Sequence, residues 1–129
     1  MRVFKVKVFG RFQRKERLGD DALCRALRDI EAGLVDADLG HGLVKQRVAR
    51  QGKGKSGGYR TIIAYKSRTR AVFLFGFAKS DRADLEPDEL KELVRRGALW
   101  LGADNETIDT AIENERLTEI DYDADVDAA

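Results

Sequence analysis

From Val3 to Phe9 apolar residues alternate with lysines, Val3, Lys5, Lys7 and Phe9 on one side and Phe4, Val6 and Val8 on the other, the two-residue period of a β-strand. The period then changes. Gly10 to Arg17 reads as a short polar helix or turn that breaks at Gly19. Asp20 or Asp21 offers a cap for a helix in which Leu23, Leu27, Ile30 and Leu34 recur at helical spacing, with Gly33 near its end. DADLGHG reads as a loop. In Leu43 to Arg50, Val44 and Val48 alternate with Lys45 and Arg47, as a half-buried strand requires. QGKGKSGG predicts a turn, followed by two β-prone runs, GYRTIIAYKS and RAVFLFGFAK, joined by a short polar connection and expected to pair as an antiparallel hairpin. The second run is apolar on both faces and belongs in the middle of a sheet.

Pro87, among acidic residues, predicts the first turn of a helix running to about Leu101, with Leu90, Leu93, Val94, Ala98 and Leu101 on its inner face. A last helix is expected over 104–115 and an edge strand over 117–122. The terminal DYDADVDAA lacks apolar content and is expected to fray. No internal repeat or long linker divides the chain.

Composition narrows the picture. The 129 residues, 43% hydrophobic and 36% charged, suit one globular domain with a real core. No apolar run approaches the roughly 20 residues that span a bilayer, and the N-terminus lacks a secretory signature, so a cytoplasmic location without membrane contact is expected. Cys24 is the only cysteine, which leaves no internal disulfide.

The net charge of +1 conceals a strong asymmetry. Residues 1–100 carry 23 basic and 13 acidic side chains, and the remaining residues carry 1 and 10. Between positions 41 and 82 there are 11 Lys or Arg against the single acid Asp81. A basic centre is thus joined to an acidic tail from about Asp104, and the centre is expected to find no salt-bridge partner except that tail. Such density points to a phosphate backbone or to an acidic protein partner.

The chemistry-bearing residues fit this reading better than any other. Gly54-Lys55-Ser56 lacks the earlier glycine of a phosphate loop, since Ala49 stands there, and a strand rather than a helix is expected to follow. His41 is the only histidine, and no nucleophilic triad assembles around it. No metal or other cofactor is implied. What remains is cationic: Lys45 and Arg47 project from one face of a strand, Lys53 and Lys55 sit on the loop, and Arg60 opens the next strand. If the strands pair, these charges converge.

Three blocks, GLVDADLGHGLVKQRVAR, QGKGKSGGYRTIIA and FLFGFAKSDRADLEPDEL, resemble the RelE/HigB-like toxins of bacterial type II toxin–antitoxin systems. The resemblance covers most of the chain and fades in the first ten residues and after about Leu101. It implies an α+β fold, N-terminal helices on a twisted, mostly antiparallel sheet of about four strands, to which this chain adds C-terminal helices. It also implies a metal-independent endoribonuclease that cuts messenger RNA, commonly on the ribosome. A cognate antitoxin is implied as well, often a helix-turn-helix protein, through which alone operator DNA would be contacted.

Carried onto this sequence, the resemblance makes Arg60 of GGYR the phosphate stabiliser, and Lys45 and Arg47 candidates for general base and phosphate contact. Arg50, Lys53, Lys55 and Arg82 become contacts to the RNA backbone, and Lys79, at the end of the last strand, the candidate acid. A lysine crowded by cations loses preference for its charged form, whereas arginine stays charged and can grip phosphate with two bonds. Two other functions fit the same fold and charge: a ParE-like toxin directed at DNA gyrase, and a nuclease-dead nucleic-acid-binding or co-repressor module.

Overall fold

A computed structural model of the chain describes residues 1–50 and 54–122; the side chains at 50 and 54–57 lie outside that description. In chain order the elements are β1 (Arg2–Val6), α1 (Lys7–Glu16), α2 (Asp20–Glu31), β2 (Ala37–Gly40), β3 (Leu43–Arg50), β4 (Gly54–Lys66), β5 (Arg70–Ala78), α3 (Pro87–Gly102), α4 (Asn105–Glu113) and β6 (Leu117–Ile120). The strands form one mixed sheet in the order β2-β3-β4-β5-β1-β6. Only β1 and β5 pair in parallel; every other neighbouring pair is antiparallel. The sheet therefore has six strands, not about four. Of the two strands beyond those four, β2 was read as a loop and β6 is the edge strand expected over 117–122; each has four residues and lies at an edge of the sheet, where short strands limit edge-to-edge association.

Local chemistry explains where the elements turn. The first strand stops at Val6, short of the expected Phe9, because Phe9 and Gln13 are buried one helical turn apart and Val8 faces outward. The helix ends at Arg17, a non-glycine residue in the left-handed region with φ of 55°. Neither Asp20 nor Asp21 caps α2; Gly19 holds the cap position, and both acids lie in the first turn, where the helix dipole favours them. Asp20 instead accepts from Gln13 at 2.6 Å and from Lys5 at 3.2 Å, which satisfies a polar group inside the fold.

At the other end, Glu86 and Glu89 form a reciprocal capping box around Pro87, and Asp104 caps α4 by accepting from the Thr107 N–H at 2.8 Å. Arg70, buried, donates from Nη1 to the carbonyls of Trp100 and Ala103, both at 2.7 Å, and so closes the C-terminus of α3. The acidic segment does not begin as a tail: Ile108, Ala111, Leu117 and Ile120 are buried, and 105–120 build α4 and β6. Residues 123–129, where fraying was expected, lie outside the described residues, as do 51–53 within the expected turn.

Both faces of the sheet are covered, and strand alternation assigns each residue to one of them. Phe9, Leu23, Leu27 and Ile30 from α1 and α2 pack on Val3, Val44, Val48, Tyr59, Ile63 and Phe73. Leu93, Ile108, Ala111 and Leu117 pack from the other side on Phe4, Leu43, Ile62, Ala64, Val72 and Leu74. Gly97 brings α3 close to the sheet: a Cβ there would lie 2.9 Å from Leu43 Cδ2 and 3.3 Å from Ala64 Cβ. Among the described residues no helix is long and apolar enough to cross a membrane.

Candidate active site

Helix α3 covers only part of its sheet face, the part over Leu43, Ala64 and Leu74. Further along the strands the same alternation brings Lys45 and Arg47 on β3, Arg60 on β4 and Phe77 on β5 to that face. The register sets Arg47 directly opposite Arg60, Arg60 opposite Phe77, and Lys45 opposite Ile62. A bulge at Leu74 shifts the pairing, so that Ile62 meets Phe75 and Ile63 meets Phe73. The shift turns both Leu74 and Phe75 toward the α3 side, where both pack with its core. Arg82, in the connection before α3, lays its guanidinium over Phe77 at 5.2 Å and Phe75 at 5.9 Å from the ring centres.

The strand register thus sets Lys45, Arg47 and Arg60 on one face, but the cations are not bare. Lys45 Nζ lies 3.3 Å from both carboxylate oxygens of Asp84. The Arg47 backbone N–H donates to Asp36 at 2.5 Å and its Nε lies 3.9 Å from the same carboxylate, which draws the side chain toward the β2 edge. There Arg47 also borders a hollow of about 300 Å³ with Arg25, Arg28 and Asp29 of α2. Arg82 pairs with Glu89 and donates to the Asp84 carbonyl. The expectation of a basic centre without nearby acids is corrected: Asp36, Asp84 and Glu89 flank the 41–82 window in sequence and fold back onto it.

The acids carry the mark of that contact. The Asp84 carboxyl is held below its ordinary range, first by the Leu85 backbone N–H and then by Lys45 and Arg82. Glu89 is held low by Arg82 and by the Glu86 N–H. Lys45 therefore has a carboxylate as its nearest charge rather than a crowd of cations, so the environment invoked to make it a base is absent among the described residues. Arg60 differs from its neighbours. It is half-buried, and its Nη1 is fully buried without a hydrogen-bond partner among the described residues.

The other predicted residues fall as follows. Lys79 is exposed one residue beyond β5, where its backbone N–H donates to Gly58 O at 3.3 Å. Lys53 lies outside the described residues; Arg50 and Lys55 are on β3 and β4, with side chains outside that description. His41 sits exposed in the β2–β3 turn with φ of 55°, between Gly40 and Gly42, away from the cationic row. Tyr59 is core, whereas Phe75 and Phe77 do more than fill the core: they floor the site beneath Arg82. A larger hollow of about 840 Å³ adjoins the row and shares Phe75 and Glu89 with it, but Val6, Leu74, Leu93 and Leu99 make its walls mainly apolar.

The fold is a mixed sheet with helices on both faces, and one face carries an arginine with no acceptor for its buried Nη1 among the described residues. The chain belongs to the family described as the RelE toxin of the RelE / RelB toxin–antitoxin system, whose model matches residues 1–120. It is accordingly a toxin of a toxin–antitoxin system, and membership implies an antitoxin partner. A search among curated proteins returns no match to the chain.

Proposed function

We propose that the protein is a metal-independent endoribonuclease that cleaves messenger RNA, on the ribosome or free, and that its antitoxin neutralises it. The observation that supports this most is Arg60, half-buried and opposite Arg47 in the strand register, with a buried Nη1 that has no acceptor among the described residues. Like charges set opposite each other in a sheet are unfavourable, and an unsatisfied buried donor is more so. Both costs fall when Arg60 swings out to a phosphodiester lying over this face of the strand pair.

Cleavage by the ribose 2′-hydroxyl requires removal of one proton, stabilisation of the extra negative charge and protonation of the 5′-oxygen. Arg60 and Arg47 hold the phosphate. Lys45 turns from Asp84 to the phosphate as RNA enters, and the freed Asp84 carboxylate oxygen accepts the 2′-hydroxyl proton. Lys79, exposed at the end of β5, is the candidate donor to the leaving oxygen. Arg50, Lys53 and Lys55 follow the RNA backbone away from the scissile bond, where each phosphate contact makes binding more salt-dependent.

Induced expression followed by mapping of messenger RNA 5′ ends tests this reading. Cuts within translated regions are expected. Intact transcripts with damaged DNA would assign the toxin to gyrase instead, and intact transcripts with intact DNA would leave only a binding role.

A further inference from the structure

Arg82 is the cation of the row least suited to gripping a phosphate. An arginine has five N–H donors. Here Nε and Nη2 donate to the Asp84 carbonyl at 3.2 and 3.0 Å, Nη1 donates to Glu89 at 3.1 Å, and Nη2 also donates to Glu89. Four of the five donors are therefore used, and all four bonds leave along the edge of the guanidinium plane. The guanidinium carbon lies over the Phe77 ring at 5.2 Å from its centre and over the Phe75 ring at 5.9 Å. The side chain is nevertheless 31% exposed, and with its edge donors taken a flat face is what it can offer to a ligand.

A plate fixed at its edges, backed by two rings and open on one side, is what a stacked ring needs. Single-stranded RNA is recognised in large part by bases that stack on aromatic rings or on arginine planes. Position adds to the argument. The ring under Arg82 belongs to Phe77, whose backbone lies one strand spacing, about 4.8 Å, from that of its cross-strand neighbour Arg60. A phosphate held at Arg60 would therefore carry its nucleotide toward Arg82.

We propose that Arg82 is a stacking platform for one nucleobase of the bound RNA rather than a contact to its backbone. The inference rests on the RNA-cleaving reading above and assigns a second subsite within it. Because every base has a flat face, the platform favours unpaired nucleotides over duplex without selecting a sequence.

The test uses two uncleavable probes of equal charge, 2′-O-methyl hexauridylate and a chain of the same length lacking its bases. Their affinities are measured by fluorescence anisotropy across a salt series for the wild type, Arg82→Lys and Arg60→Met. The wild type is expected to bind the base-bearing chain about tenfold more tightly. Arg82→Lys, which keeps the charge and loses the plate, is expected to lose most of that preference with an unchanged salt slope. Equal binding of both probes by the wild type overturns the platform even if the lysine variant fails to fold. So does an undiminished preference in Arg82→Lys. Failure of the RNA reading itself looks different: the wild type binds neither probe, or Arg60→Met alters neither affinity nor salt slope, and the platform then falls with it.

Discussion

Replacing Arg60 with methionine should make the protein more stable and inactive at once. In the free protein Arg60 stands opposite Arg47 in the β3–β4 register, but Arg47 turns to Asp36, so their repulsion stays at or below the low end of the roughly 0.2–1 kcal/mol that like charges so placed cost. Its buried Nη1 has no acceptor among the described residues, and an unsatisfied buried donor costs roughly 1–3 kcal/mol; the lower end applies because the residue is only half-buried. Methionine keeps an unbranched stem beside Phe77 and removes both penalties. The gain is about 1–2 kcal/mol, which for a chain of this length raises the melting midpoint by about 3–6 °C. Activity moves the other way, since loss of one well-placed donor to a developing oxyanion lowers turnover about 10²–10³-fold. Thermal unfolding and growth arrest on induction, measured on the same variant, give both numbers. A variant that melts several degrees lower would make Arg60 a structural residue, and one that still arrests growth would remove it from the site.

Three other outcomes follow from the fold. Gly76→Ala sets a Cβ 2.5 Å from Phe12 Cε2, and that ring is held edge-on by Tyr59 and against Phe9; a loss of about 1–3 kcal/mol is expected in denaturant unfolding. Arg70→Met leaves the Trp100 and Ala103 carbonyls without their donor and should cost about 2–3 kcal/mol in the same assay. The carboxyls of Glu92, Glu89, Asp84, Asp104 and Glu119 all lie below their ordinary values, Glu92 at about 2 through Arg95 and Arg96, and Glu119 mainly through Arg2. Their folded values are depressed, so their contribution is present above the ordinary carboxylate range and is lost as pH falls through the shifted values. The melting midpoint should therefore drop between about pH 4.5 and pH 2, and less steeply in high salt.

The central strands were legible because β3, β4 and β5 alternate or are apolar throughout, and because the run around Phe73 leaves no solvent face. The start of α1 was not, since Val3, Lys5, Lys7 and Phe9 keep a two-residue period past the point where the backbone turns at Val6; Phe9 and Gln13 satisfy both periods at once. β2 was hidden in DADLG, whose glycine and aspartates read as loop, and it exists as an edge because β3 offers it a partner. The shared face of Lys45, Arg47 and Arg60 could be read from alternation once the strands were paired. Their acid partners could not. Asp36 precedes the basic window and Asp84 and Glu89 follow it, and it is the edge strand and the connection before α3 that bring them back. Counting charge along the chain measures neighbours in sequence, whereas ion pairs form between neighbours in space.

The most direct measurement is an NMR titration of the arginine side chains with a 2′-O-methyl dinucleotide carrying a single phosphodiester. Binding at the open guanidinium should shift the Arg60 Nε–Hε signal first and furthest, with Arg47 following and Arg95 and Arg96 on α3 unmoved. A dinucleotide that binds while the Arg60 signal stays in place would show that the row does not hold a phosphodiester, and the catalytic account would be wrong.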